Sequence, residues 1–105
     1  MRDVPDNFSW PAAWKPAPVP PHHLGLISSL EIELQSEVCL GHPLYRIACR
    51  VVGWNSADHN EFLFESANPD MPLAFVHLTF QAESDPTWPF TVGYPGWDEF
   101  GTAWA

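Results

Sequence analysis

Five histidines, two cysteines and thirteen carboxylates are the side chains here that can move protons, attack a carbonyl or ligate a metal. Proton transfer needs a base held within hydrogen-bond reach by a partner, and the carboxylates lie scattered among His22, His23, His42, His59 and His77 in no established catalytic spacing. The best arrangement is His77 oriented by Glu61 or Glu65 from a neighbouring strand. Cys39 and Cys49 offer thiol nucleophiles, yet neither sits in a tight turn or at a helix start that would favour the thiolate. Neither belongs to a CxxC pair, no four-ligand zinc pattern is present, and both thiols read as small apolar fillers. His22 and His23 follow a proline pair, and adjacent histidines in such an arm gather stray metal more readily than they build a site. The expectation is no metal, no cofactor and no catalytic residue, with the balance leaning away from an enzyme.

Charge narrows the ligand classes further. Thirteen acids against four bases give a net charge of −9, and the excess is uneven: Arg2 and Lys15 cancel Asp3 and Asp6, leaving eleven acids against Arg46 and Arg50 from residue 24 onward. Such a balance repels phosphate backbones and anionic lipid, which argues against nucleic acid and membrane surfaces, and it attracts a basic protein partner. No apolar run reaches the roughly 18 residues that span a bilayer. The opening Met1-Arg2-Asp3-Val4-Pro5-Asp6 lacks the apolar stretch of a secretory signal. These features predict a soluble, cytoplasmic protein.

The elements that must position these groups divide at residue 23. Residues 1–23 hold six of the twelve prolines, which remove amide donors and favour extended polyproline geometry, so this stretch reads as a proline-rich arm. Phe8, Trp10 and Trp14 are costly to leave in water; the arm is expected to lie along its own domain or to reach across a homodimer. Residues 24–105 read as a single α+β domain, since 105 residues with 46% hydrophobic content suit one core. Leu24, Ile27, Leu30, Leu34 and Val38 recur at helical spacing and predict one main helix over 24–38. Ser28 or an upstream histidine would cap it, Gly41 and Pro43 would stop it, and Glu31, Glu33, Gln35 and Glu37 fall largely off its apolar stripe. Residues 45–54, 61–65 and 73–80, rich in β-branched and aromatic types, predict an antiparallel sheet of three or more strands, and 97–104 a last turn of helix.

Alternation across that sheet sorts the candidate site residues. With Val51 opposite Phe64 and Gly53 opposite Phe62, one face is wholly apolar, continued by Ala74, Val76, Leu78 and Phe80, for the helix to cover. The other face is mixed, carrying Arg46, Arg50, Val52 and Trp54 with Glu61, Leu63, Glu65, Phe75, His77 and Thr79. Arg50 opposite Glu65 predicts a cross-strand charge pair worth a few tenths to about 1 kcal/mol. The binding candidates are Arg46, Arg50, Trp54, Glu65 and His77.

The motifs HPLY at 42–45, VHLTF at 76–80 and WP at 88–89 resemble a group of small bacterial proteins with HPLY, VHLTW and WP signatures. The resemblance spans roughly residues 25–97, departs at Phe80 where the group carries Trp, and leaves the arm outside. That group has no assigned activity, so the resemblance implies a shared fold and carries over no catalytic residue. By elimination the sequence predicts a noncatalytic module that binds a protein or peptide. The alternative is a small hydrolase-type enzyme or small-molecule sensor built on the polar sheet face around His77 and Arg50.

Overall fold

The 61–66 segment seats the fold, because Phe62 and Phe64 project to one side, Leu63 to the other, and all three are buried. The computed structural model describes residues 4–19 and 29–105. Among these residues seven elements follow in chain order: β1 (Trp14–Pro16), α1 (Leu30–Glu37), β2 (Cys49–Asn55), β3 (Glu61–Ser66), β4 (Leu73–His77), β5 (Phe90–Tyr94) and α2 (Trp97–Ala103). The strands form one antiparallel sheet in the order β1-β2-β3-β4-β5. Among the described residues no helix is long and apolar enough to cross a membrane.

Helix α1 is shorter than the 24–38 expectation. Ser29 is its N-cap, with extended backbone (φ −160°, ψ 133°) and a hydroxyl that accepts from the Ile32 amide at 3.4 Å, so the helix begins at Leu30. Leu24, Ile27 and Ser28 lie outside the described residues. Glu31 and Glu33 in the first turn complement the helix dipole. Among the described residues two short helices therefore stand where one main helix was expected, and α2 occupies the segment where only a last turn was predicted.

The strands also depart from expectation at their ends, for local reasons. β2 starts at Cys49, not at residue 45, because residues 42–47 form successive turns: Tyr45 N–H donates to the His42 carbonyl and Ile47 N–H to that of Leu44. Arg46 sits in the left-handed region (φ 57°), exposed, with its guanidinium over the Tyr45 ring at 5.3 Å. β4 ends at His77, and Phe80 turns the chain with φ 59°. Two strands were not predicted at all. Pro89, Gly93 and Pro95 obscured β5, and the proline content of residues 1–23 obscured β1, which pairs antiparallel with β2 through Trp14↔Asn55 and Pro16↔Gly53. Pro16 suits an edge strand, because the next backbone bond to β2 runs from the Ala17 N–H to the Val52 carbonyl and the N–H that Pro16 lacks would point away from the sheet.

A bulge in β2 resets the register. Arg50 pairs with Glu65 and Val51 with Phe64, as alternation predicts, but Gly53 then pairs with Leu63 and Trp54 with Phe62. The extra residue, Val52, moves Trp54 off the mixed face and onto the α1 side, where it packs against the core. Gly53 is required by its neighbour: a Cβ there would lie 2.7 Å from the Trp10 ring, so that indole rests directly on strand backbone.

Both faces of the sheet are covered. On one, Leu30, Leu34 and Leu44 meet Phe62, Phe64, Val76 and Leu78. The other, expected to be a mixed surface, is a second core in which Val52, Leu63, Leu73 and Phe75 lie beneath Trp14, Trp97 and Phe100. Aromatic rings dominate this layer, with Trp14 edge-on to Phe100 at 5.3 Å and to Trp104 at 5.2 Å, and Phe8 edge-on to Trp97 at 5.0 Å.

Candidate functional site

Two polar pairs survive at the margins of the second core. Arg50 Nη2 lies 3.3 Å from Glu65 Oε1, the cross-strand pair predicted from the sequence. The Arg50 side chain is 45% exposed and that of Glu65 only 4%, so water screens one partner while the other is buried. Glu65 Oε2 is buried without a hydrogen-bond partner among the described residues. At the opposite end His77 Nδ1 stands 3.4 Å from Glu61 Oε2. Asn55 Nδ2 donates to the other Glu61 oxygen at 2.9 Å, and the Asp58 carboxylate joins the group, with one ligand atom each from Asp58, Glu61 and His77 within 4.8 Å of one another.

Backbone pairing explains why His77 and Glu61 meet. Leu78 N–H donates to the Asn60 carbonyl and Ser66 N–H to that of Pro72, so Phe62↔Val76 and Phe64↔Ala74 are the hydrogen-bonded pairs of β3 and β4. Glu61↔His77 is then a non-hydrogen-bonded pair, the kind whose Cα atoms stand about 4.5 Å apart and whose side chains come closest.

The five residues nominated from the sequence are therefore not assembled into one site. Glu61 and Glu65 are four residues apart on β3, which separates the His77 and Arg50 pairs by about 13 Å at strand rise. Leu63 and Phe75 fill the space between. Trp54 is on the opposite face, its indole N–H donating to the Pro16 carbonyl at 3.1 Å, and Arg46 is in a turn off the sheet. Cys49 is a poor nucleophile: burial pushes its thiol up to about 11, with Glu31 adding and Ser66 opposing.

The motif residues make joints instead. His42 is buried, its Nδ1 accepts from the Leu44 amide at 3.0 Å, and its Nε2 lies 3.0 Å from the Pro89 carbonyl and 3.1 Å from Thr91 Oγ1. These partners select the neutral Nε2–H tautomer, and burial lowers the imidazole pKa against the pull of the Pro89 carbonyl. HPLY is thereby bonded to WP at the start of β5. A second joint was missed: Glu37 is wholly buried at the end of α1 and accepts from the Thr79 and Phe80 amides, both at 2.8 Å, and from the Thr79 hydroxyl at 3.0 Å. Its spacing, three after Leu34 and seven after Leu30, carried the signal that it shares the buried stripe. Burial, aided by Glu33, pushes its carboxyl up to about 7 against those three donors.

Several exposed apolar groups lie close in sequence to the residues of these joints. Phe80, Trp88 and Phe90 are 40%, 46% and 49% exposed, and Trp88 lines a shallow hollow of about 270 Å³ with Thr79, Gln81 and Glu83. Leu40 is exposed beside Gly41, whose φ of +100° would strain any L side chain and where a Cβ would stand a tight 3.2 Å from Pro86. In class the chain is an α+β protein, a five-stranded antiparallel meander closed by two short helices. Comparison with protein-family models, with curated proteins and with solved structures finds no match.

Proposed function

We propose that this chain is a noncatalytic cytoplasmic module that binds an extended, basic peptide by adding it as a further strand beside β5. The observation that carries the reading is the chemistry of that edge. β4 turns the peptide groups of Ala74 and Val76 toward β3, so those of Leu73, Phe75 and His77 face Tyr94, Val92 and Phe90 across the ladder. Thr91 and Gly93 then present their N–H and C=O groups outward, and among the described residues no strand pairs with them. β5 has neither charge nor proline within its five residues, the devices that usually blunt an edge, whereas β1 ends in Pro16. His42, bonded to Pro89 and Thr91, holds the strand's entry rigid, and Trp88 and Phe90 supply aromatic surface beside it. The net charge of −9 favours Lys and Arg in the added strand.

Selection from a random peptide library tests this. Basic, alternating sequences should be enriched, binding should slow hydrogen exchange at the Thr91 and Gly93 amides, and Trp88→Ala should weaken affinity roughly tenfold or more. Enrichment of helical or acidic sequences, or unchanged exchange at both amides on saturation, contradicts the reading. The alternative of a hydrolase or small-molecule sensor on the sheet face is disfavoured by the buried Leu63 and Phe75 that lie between His77 and Arg50.

A further inference from the structure

Independently of the peptide-binding reading, we propose that Asp58, Glu61 and His77 form a binding site for a single divalent transition-metal ion of the zinc type. The strongest support is a distance. His77 Nδ1 and Glu61 Oε2 lie 3.4 Å apart, long for a hydrogen bond between an imidazole and a carboxylate. Two ligands on a tetrahedral ion with metal–ligand bonds of about 2.0 to 2.1 Å are themselves separated by about 3.3 to 3.4 Å. The pair already stands at the edge length of that tetrahedron. It is held there by a non-hydrogen-bonded cross-strand pairing, so both side chains leave rigid strand backbone.

Asp58 completes three protein ligands from the β2–β3 connection. All three ligand atoms lie within 4.8 Å of one another, and Asp58 Oδ1 accepts from the Asn60 amide at 2.9 Å, which holds the carboxylate in the loop beside Glu61. Supporting interactions are also present. Asn55, buried at the end of β2, donates to Glu61 Oε1 at 2.9 Å, leaving Oε2 directed toward His77, and its own Oδ1 accepts from the Ala57 amide at 2.9 Å. A ligating carboxylate oriented by such a neighbour is characteristic of metal sites, where the neighbour's loss weakens binding about 10- to 100-fold. Two carboxylates and a neutral imidazole balance a dipositive charge. The imidazole selects zinc-type ions over Mg²⁺ and Ca²⁺, which take oxygen ligands, and the half-buried setting leaves a fourth position for water. None of this is visible in the ligand spacing along the chain, since His77 lies sixteen residues beyond Glu61.

The test is calorimetric titration of Zn²⁺ into the chelator-stripped full chain near neutral pH, with the His22→Gln/His23→Gln variant alongside to remove the adjacent histidines. The His22→Gln/His23→Gln variant should bind one ion, the parent should bind that ion with equal affinity, any further ion in the parent being weaker and absent from the variant, and millimolar Mg²⁺ or Ca²⁺ should not compete. Glu61→Gln, His77→Gln and Asp58→Asn should each weaken binding more than about tenfold, and Asn55→Ala by a factor within the range for a supporting residue. Asp58→Asn lies in a connecting loop, and its circular dichroism should match the parent, which separates loss of a ligand from loss of fold. Co²⁺ in place of Zn²⁺ should give the visible absorption of a four-coordinate site. Absence of one-to-one binding, parent-like affinity in Asp58→Asn and His77→Gln, or loss of binding in the His22→Gln/His23→Gln variant would each overturn the assignment.

Discussion

At the scale of single residues, Glu37 and His42 act as joints, and each ties stability to pH in opposite directions. The folded state holds the Glu37 proton up to about pH 7, above the ordinary 4.5 of an unfolded glutamate. Its contribution is therefore complete below pH 4.5 and is lost as pH rises through about 7, a difference on the order of 3 kcal/mol. Glu37→Gln removes this dependence while leaving one oxygen to accept from Thr79 or Phe80. Urea unfolding between pH 4.5 and 8 should show the parent losing stability relative to the variant as pH rises; parallel curves would show that Glu37 does not titrate in this window. His42 has a lowered pKa, so the unfolded chain takes up its proton first and the stability it supports is lost as pH falls below the ordinary value of 6.5. His42→Ala leaves the Leu44 amide without its acceptor and the Pro89 carbonyl without its imidazole donor, and should cost about 1 to 3 kcal/mol in the same assay at pH 7.5.

At the scale of elements, the β2 bulge and the packing of Trp10 on Gly53 are one device. The bulge sends Trp54 to the α1 side and leaves Gly53 as bare backbone on which an indole can lie. Gly53→Ala places a methyl within 2.7 Å of the Trp10 ring and should displace it, at a cost of roughly 1 to 3 kcal/mol for overpacking. The cost should largely vanish in a Trp10→Ala background, since the clash has one partner. A double-mutant cycle from denaturant melts measures this coupling, and full additivity would place the strain elsewhere. The helices were legible in the sequence to different degrees. The cap of α1 was expected at Ser28 or an upstream histidine, and the extended backbone and hydroxyl of Ser29 put it there instead; for residues 97–104 only a last turn was expected, although Asp98 and Glu99 stand where acids complement the start of a helix.

At the scale of the whole molecule, the second core requires residues from both termini. Trp14 is 2% exposed and packs against Phe75, Phe100 and Trp104, so the proline-rich stretch is an integral layer of the fold over its described part. Deleting residues 1–19 should open that layer and lower the melting temperature by more than 10 °C or abolish the transition, because loss of one buried tryptophan alone costs about 3 to 5 kcal/mol against a total near 5 to 15. A truncated chain with the parent's melting temperature would contradict this packing.

The sequence by itself determined what is local or periodic. Phe62, Phe64, Val76 and Leu78 share a face because strand side chains alternate, Arg50 meets Glu65 because the register before the bulge follows from that alternation, and the acidic balance is a matter of composition. Tertiary structure decided whatever depends on one inserted residue or on partners distant in sequence. Val52 moved Trp54 across the sheet, Pro89 and Gly93 concealed an edge strand that only pairing with β4 reveals, and Glu37 found its donors forty-two and forty-three residues away. Periodicity reports which side of an element is apolar. It carries no information on what covers the other side, and here that cover is an aromatic layer assembled from both ends of the chain.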